Sequence, residues 1–125
     1  MENVLINLAS VYREIGNLDR ARSLYLQALE GSLRRRFMDH IPRALEGLAQ
    51  WAFHRGRPVL AARLLAAAAA QGGRTEAVRI EQERQHRDRL IAHVQEAINA
   101  DIFAQAWTEG EQWSPEEVLK TILGK

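Results

Sequence analysis

The stretch VLINLASVYREIGNLDRARSLYLQALE, residues 4–30, decides the fold because its pattern returns 40 residues later. The second copy reads ALEGLAQWAFHRGRPVLAARLLAAAAA and occupies residues 44–70. Self-similarity at a fixed period indicates a repeat architecture, in which each copy is one packing unit. The two copies share apolar or small residues at seven pairs of positions: Leu5/Leu45, Leu8/Leu48, Ala9/Ala49, Gly16/Gly56, Ala21/Ala61, Leu24/Leu64 and Ala28/Ala68.

Each copy predicts two helices around a tight turn. Gly16 and Gly56 suit the left-handed conformation that ends a helix. Asp19 is a suitable start for the second helix of the first copy, and Pro58 suits the first turn of its counterpart. Spacings of three and four predict that one face of the first helix is buried. The residues of that face are Leu5, Leu8, Ala9 and Tyr12.

The C-terminal part, residues 75–125, predicts further helices. Residues 75–98 lack glycine and proline, and residues 101–109 carry apolar residues at helical spacing. The run Ser114-Pro115-Glu116-Glu117 is a capping box with proline at the first helical position, which marks a helix start. Three apolar residues of that last helix are expected to close the open end of the stack: Val118, Leu119 and Ile122.

We therefore expect a single all-α domain of about seven helices. Its helix pairs form a right-handed superhelical stack with a C-terminal capping helix. The first repeat spans about residues 4–31, the second about residues 41–71, and the remaining helices follow from about residue 75.

The first copy resembles the tetratricopeptide repeat. The residues that carry the resemblance are Leu8, Ala9, Tyr12, Gly16, Ala21, Tyr25 and Ala28. The 40-residue period is longer than the ~34 residues typical of that family. The resemblance implies a module that binds protein or peptide, a neighbouring domain or a second copy of itself.

A second resemblance covers the later part of the chain. The ALEGLA and AARLLAAA stretches, followed by Ala104-Gln105-Ala106-Trp107-Thr108-Glu109-Gly110, are similar to the C-terminal helical region of large bacterial regulators. LuxR-type, ATPase-linked transcription regulators are one such group. This resemblance implies a role in bacterial signalling or transcription. The sequence has no Gly-rich phosphate loop, so nucleotide chemistry is not implied.

Repeats of this class bind partners through the face formed by the first helix of each pair. Helical spacing places a mixture of charged, polar and apolar residues off the packing stripe, which could hold an extended peptide. We expect the partner-binding residues to be Ile6, Ser10, Arg13, Arg43, Glu46, Gln50, Phe53 and His54.

Two other functions remain open from the sequence. The basic run Arg34–Arg36 could contact the phosphates of a nucleic acid, although 17 basic residues against 16 acidic ones give no overall basic character. The other function is a purely structural role in dimerisation, in which the apolar stretch Leu60 to Ala70 forms the contact surface if it is exposed.

Composition and motifs argue against catalysis, metal binding and membrane contact. The chain has no cysteine, and His86 and His93 lack the ligand spacing of a zinc site, so we expect no metal and no cofactor. Glu81 and Glu83 lie in a charged stretch without an apolar pocket, so we expect no catalytic residues and no enzyme. The N-terminus lacks a signal-peptide pattern, which favours a cytoplasmic protein without membrane contact.

Overall fold

A computed structural model describes residues 2–36, 40–72 and 81–123. The prediction of an all-α fold is confirmed, because the described residues form seven helices and no strand. The helices are α1 (Glu2–Glu14), α2 (Leu18–Arg35), α3 (Ile41–His54), α4 (Pro58–Gly72), α5 (Glu81–Ala97), α6 (Ala100–Glu111) and α7 (Pro115–Leu123).

The helices pack in a row that follows the two repeats. The pair α1 and α2 is followed by the pair α3 and α4, with α2 packed against α3. The next helix in this row is α6, which packs on α4. Helix α5 contacts α4, α3 and α6, and α7 folds back against α2. The stack of helix pairs predicted from the 40-residue offset is thus confirmed.

The turns form where the glycines predict them. Gly16 and Gly56 have positive φ angles of 88° and 76°, which an L-residue side chain would disfavour. Helix α4 begins at Pro58, as predicted. The start of α2 differs from the prediction, since Asn17 rather than Asp19 is its N-cap and accepts a hydrogen bond from the Arg20 backbone N–H at 3.2 Å.

The buried face of α1 is rotated from the predicted one. Ala9 is fully buried as expected, but Leu8 is 43% exposed and Ile6 is fully buried. Ile6 belongs to the hydrophobic core, and α1 packs against α2 and α3. Leu48, the counterpart of Leu8, is fully buried because α3 has α2 packed on it.

Two glycines allow neighbouring helices to approach closely. A Cβ at Gly47 of α3 would overlap the ring of Tyr25 of α2. A Cβ at Gly110 of α6 would overlap the backbone oxygen of Arg63 and lie 2.8 Å from the Cβ of Ala66. Both contacts lie between successive helices of the row, so these glycines set the spacing of the stack.

The predicted capping box of α7 is present. Glu117 N–H donates to Ser114 Oγ and Ser114 N–H donates to Glu117 Oε1, both at 3.1 Å. The position of α7 differs from the expectation, because α6 and not α7 covers α4 at the end of the stack. Helix α7 lies on α2, where Arg22 Nη2 donates to the Ile122 carbonyl at 3.0 Å.

The apolar stretch Leu60 to Ala70 is not a free surface. It forms α4, which is enclosed by α3 and α6, and all but Arg63 and its last two alanines are buried. The dimer surface that the sequence suggested there is therefore inaccessible in this fold. In the described part of the chain, no helix combines the length and the apolar character that crossing a membrane requires.

We expect Gly110→Ala to destabilise the fold by about 1–3 kcal/mol. Helix propensity alone would predict that this change stabilises the fold by about 0.5–1 kcal/mol. The added methyl group, however, meets the backbone of Arg63, which cannot move aside as a flexible side chain could. Urea denaturation measures the difference. The exposed Gln105→Ala on the same helix is the control, and a Gly110→Ala variant as stable as the parent would contradict the close approach.

Candidate partner-binding groove

The expected binding residues of α1 and α3 lie on adjacent helices and are connected by polar contacts. Arg43 Nη2 of α3 donates to Asn7 Oδ1 of α1 at 3.4 Å. Arg13 Nη1 donates to the Tyr25 hydroxyl at 3.1 Å, and Ser10 Oγ lies 3.3 Å from the same hydroxyl. Tyr25 is almost fully buried. Ser10 and Arg13 are thus held in position by α2, the second helix of their own repeat.

Ile6 was predicted as a partner-contacting residue, and this prediction is wrong. Its side chain has no exposed surface. Ile6 belongs to the hydrophobic core of the domain, and α1 packs against α2 and α3. Ile6 therefore contributes to the core and not to an open binding surface.

Helix α5 packs on α4, α3 and α6 and reaches the groove between α1 and α3, with His86 near Arg13 and Glu14 of α1. The imidazole of His93 stacks on the ring of Phe53, with centroids 6.2 Å apart and planes at 18°. Leu90 is 3% exposed and Val94 is fully buried, and they lie three and one residues from His93. Phe53, expected to anchor a partner, already has an aromatic neighbour from the same chain.

The other end of the described α5 reaches α1. His86 is partly buried, and its Nε2 atom has no hydrogen-bond partner in the described structure. Burial lowers the pKa of His86 below its ordinary value, and the positive charges of Arg13 and Arg89 lower it further, while Glu14 opposes the shift. The neutral imidazole is therefore the form that this position favours.

The remaining expected residues line the rim. Glu46 and Gln50 are half-buried, and His54 is exposed with its ring edge-on to Phe53 at 5.8 Å. Three further side chains contribute to the groove and were not predicted from the sequence: Tyr25, His86 and His93. In the sequence, Tyr25 is recognisable only as a residue of the repeat pattern, and His86 and His93 only as a pair of possible metal ligands.

The run Arg34–Arg36 does not form a single cationic surface. Arg34 pairs with Glu30 one turn back, at 3.8 Å, and both side chains are exposed. Arg36 is in the left-handed conformation, with φ of 57°, and caps α2 with its backbone N–H. The chain direction therefore changes within the run, which works against a continuous phosphate contact.

Metal ligation has no support in the groove. Within the described ranges, no three His, Asp or Glu side chains cluster in a way that could hold an ion. His93 is stacked on Phe53 and His86 faces charged residues of α1, so each has a different neighbourhood.

The ALEGLA and AARLLAAA stretches and residues 104–110 lie on α3, α4 and α6, which pack on one another in that order. Arg63 of α4 donates to Glu109 of α6 through Nη2 at 2.9 Å, and Gly110 contacts the Arg63 backbone. Ala106 is buried beside them and Trp107 stacks on Phe103 with centroids 5.6 Å apart. These stretches therefore serve the packing of α3, α4 and α6, and the expected resemblance to LuxR-type regulators finds no support.

The stacked helix pairs and the groove define a helical-repeat scaffold. The family model of the tetratricopeptide repeat matches residues 1–80, and the chain belongs to that family. Repeats of this family generally mediate protein–protein interaction and are non-catalytic scaffolds. The match ends before α5, so the helix in the groove lies outside the family pattern. No curated protein and no solved structure matches the chain.

We expect the parent chain to lose stability as the pH falls below about 6.5, the ordinary pKa of histidine. Because the pKa of His86 is lower in the folded chain, the unfolded chain binds the proton first, and acid favours unfolding. The stabilisation is fully present above pH 6.5. Urea denaturation at pH 7.5 and 5.5 measures this loss.

The matched variant is His86→Gln, which keeps a polar side chain but does not titrate in this range. Its free energy of unfolding should fall less between pH 7.5 and 5.5 than that of the parent. Equal losses in the two proteins would show that α1 and α5 do not place His86 where the structure has it.

Proposed function

We propose that this chain is a protein-interaction module whose groove between α1 and α3 binds an amphipathic helix of a partner in place of α5. The observation that carries the proposal is the seating of α5 itself, with His93 stacked on Phe53 and Leu90 and Val94 buried. A surface that accommodates one amphipathic helix has the shape and apolar character to accept another.

The attachment of α5 is weak enough for exchange. Among the side chains of α5 that the structure describes, only Leu90 and Val94 are buried. Helix α3, by comparison, buries nine residues. Two side chains of this size contribute roughly 3–6 kcal/mol at most when buried. A partner helix with a larger apolar face could therefore displace α5 without unfolding the repeats.

The groove also indicates what the partner helix should carry. Leu90 and Val94 are four residues apart, which places them on one face of a helix. A flat side chain adjoining that face can stack on Phe53, as His93 does. Arg43 and Glu46 at the rim offer charges of both signs, which would select the orientation of the helix more than its affinity.

We further propose that the module works inside a bacterial signalling or transcription regulator in the cytoplasm. Support for this context comes from the ALEGLA, AARLLAAA and Ala104–Gly110 stretches that resemble such regulators. A neighbouring domain or a second copy of the chain could supply the partner helix.

The test uses a labelled peptide of residues 81–99, which contains the α5 sequence, and measures its binding by fluorescence anisotropy. The chain with Leu90→Asp and Val94→Asp should release its own α5, because each change places a charge in an apolar site. This variant should bind the peptide at least tenfold more tightly than the parent, whose groove is filled at high effective concentration.

Adding Phe53→Ala to the released variant should weaken peptide binding, whereas the exposed Leu123→Ala on α7 should leave it unchanged. Circular dichroism checks that all variants keep their helices. Peptide affinity that is equal in the parent and the released variant, or that ignores Phe53→Ala, would contradict helix exchange in this groove.

A further inference from the structure

Helix α1 carries a second apolar face that the described structure leaves uncovered. Val4, Leu8, Val11 and Ile15 are 62%, 43%, 53% and 71% exposed. Successive spacings of four, three and four residues place them along one side of α1 and its C-terminal end, the pattern of a helix-pairing seam. We call these four residues the outer face of α1. It is separate from the groove that holds α5.

The internal repeat shows what covers such a face. The residues 40 positions later than Val4, Leu8 and Val11 are Ala44, Leu48 and Trp51, which are 0%, 0% and 8% exposed. Helix α2 packs on α3 there. Arg22 of α2 lies with its Cζ 5.0 Å from the centre of the Trp51 ring.

We propose that the outer face of α1 binds an amphipathic helix of a partner protein, packed as α2 packs on α3. The comparison between the two copies carries this assignment, because equivalent positions on α3 are buried by a helix of that type.

One position distinguishes the partner helix from α2. Gly47 on α3 leaves room for the ring of Tyr25, and a Cβ at Gly47 would overlap that ring. The equivalent residue on α1 is Asn7, which has a Cβ and an exposed side chain. A helix on the outer face therefore needs a small residue where α2 has Tyr25.

The test uses two labelled peptides of residues 17–36, one with the sequence of α2 and one with Tyr25→Ala. Fluorescence anisotropy measures their binding to the full chain. We expect the Tyr25→Ala peptide to bind saturably with a dissociation constant below about 1 mM, and several-fold more tightly than the unaltered peptide. A Leu8→Glu or Val11→Glu variant of the chain should bind it at least tenfold more weakly.

Ile102→Glu on α6 is the matched control, because Ile102 is an equally exposed apolar residue away from the outer face. It should leave peptide binding unchanged. Circular dichroism and thermal unfolding check that the α1 variants fold, as the exposure of Leu8 and Val11 predicts.

Three results would overturn the proposal. They are the absence of saturable binding, binding that persists in Leu8→Glu and Val11→Glu, and tighter binding of the unaltered peptide. Sedimentation of the parent and of Leu8→Glu completes the test. A parent dimer that dissociates in the variant would assign the outer face to a second copy. Because this assay does not involve α5, its result is independent of helix exchange in the groove.

Discussion

The fold depends on the position of Tyr25, which joins three helices. Its ring fills the space that Gly47 leaves on α3, and its hydroxyl meets Ser10 and Arg13 of α1. The side chain is 1% exposed, so both the apolar and the polar part are satisfied inside the protein. This one contact fixes α1 against α3 and thereby sets the width and the polar lining of the groove.

The groove and its occupant differ in how firmly they are held. The wall formed by α3 buries nine residues and is spaced from α2 by the Gly47 contact, which makes it resistant to rearrangement. Helix α5 adds two buried apolar side chains and one ring stacked on Phe53. A rigid receptor with a weakly attached internal helix is suited to exchange with a partner, since little ordering of the receptor accompanies binding.

Local patterns predicted local structure well. The glycines at positions 16 and 56 and the capping box at Ser114 report on a few neighbouring residues, and the structure confirms them. The rotation of α1, seen in the exchange of Ile6 and Leu8, was not predictable in the same way. It depends on how α1 packs against α2 and α3, which the spacing of apolar residues within α1 does not specify. The repeat spacing is the basis for the prediction that Arg13 and Phe53 contact a partner, whereas the contacts of His86 and His93 follow only from the position of α5.

The central claim is that α5 occupies the groove with His93 on Phe53, and nuclear Overhauser spectroscopy of the parent chain tests it most directly. We predict cross-peaks between the imidazole protons of His93 and the ring protons of Phe53, since the two centroids are 6.2 Å apart. The cross-peaks should vanish when Leu90 and Val94 are both replaced by aspartate. Assigned ring signals of the parent without these cross-peaks would contradict the account, because the groove would then be open.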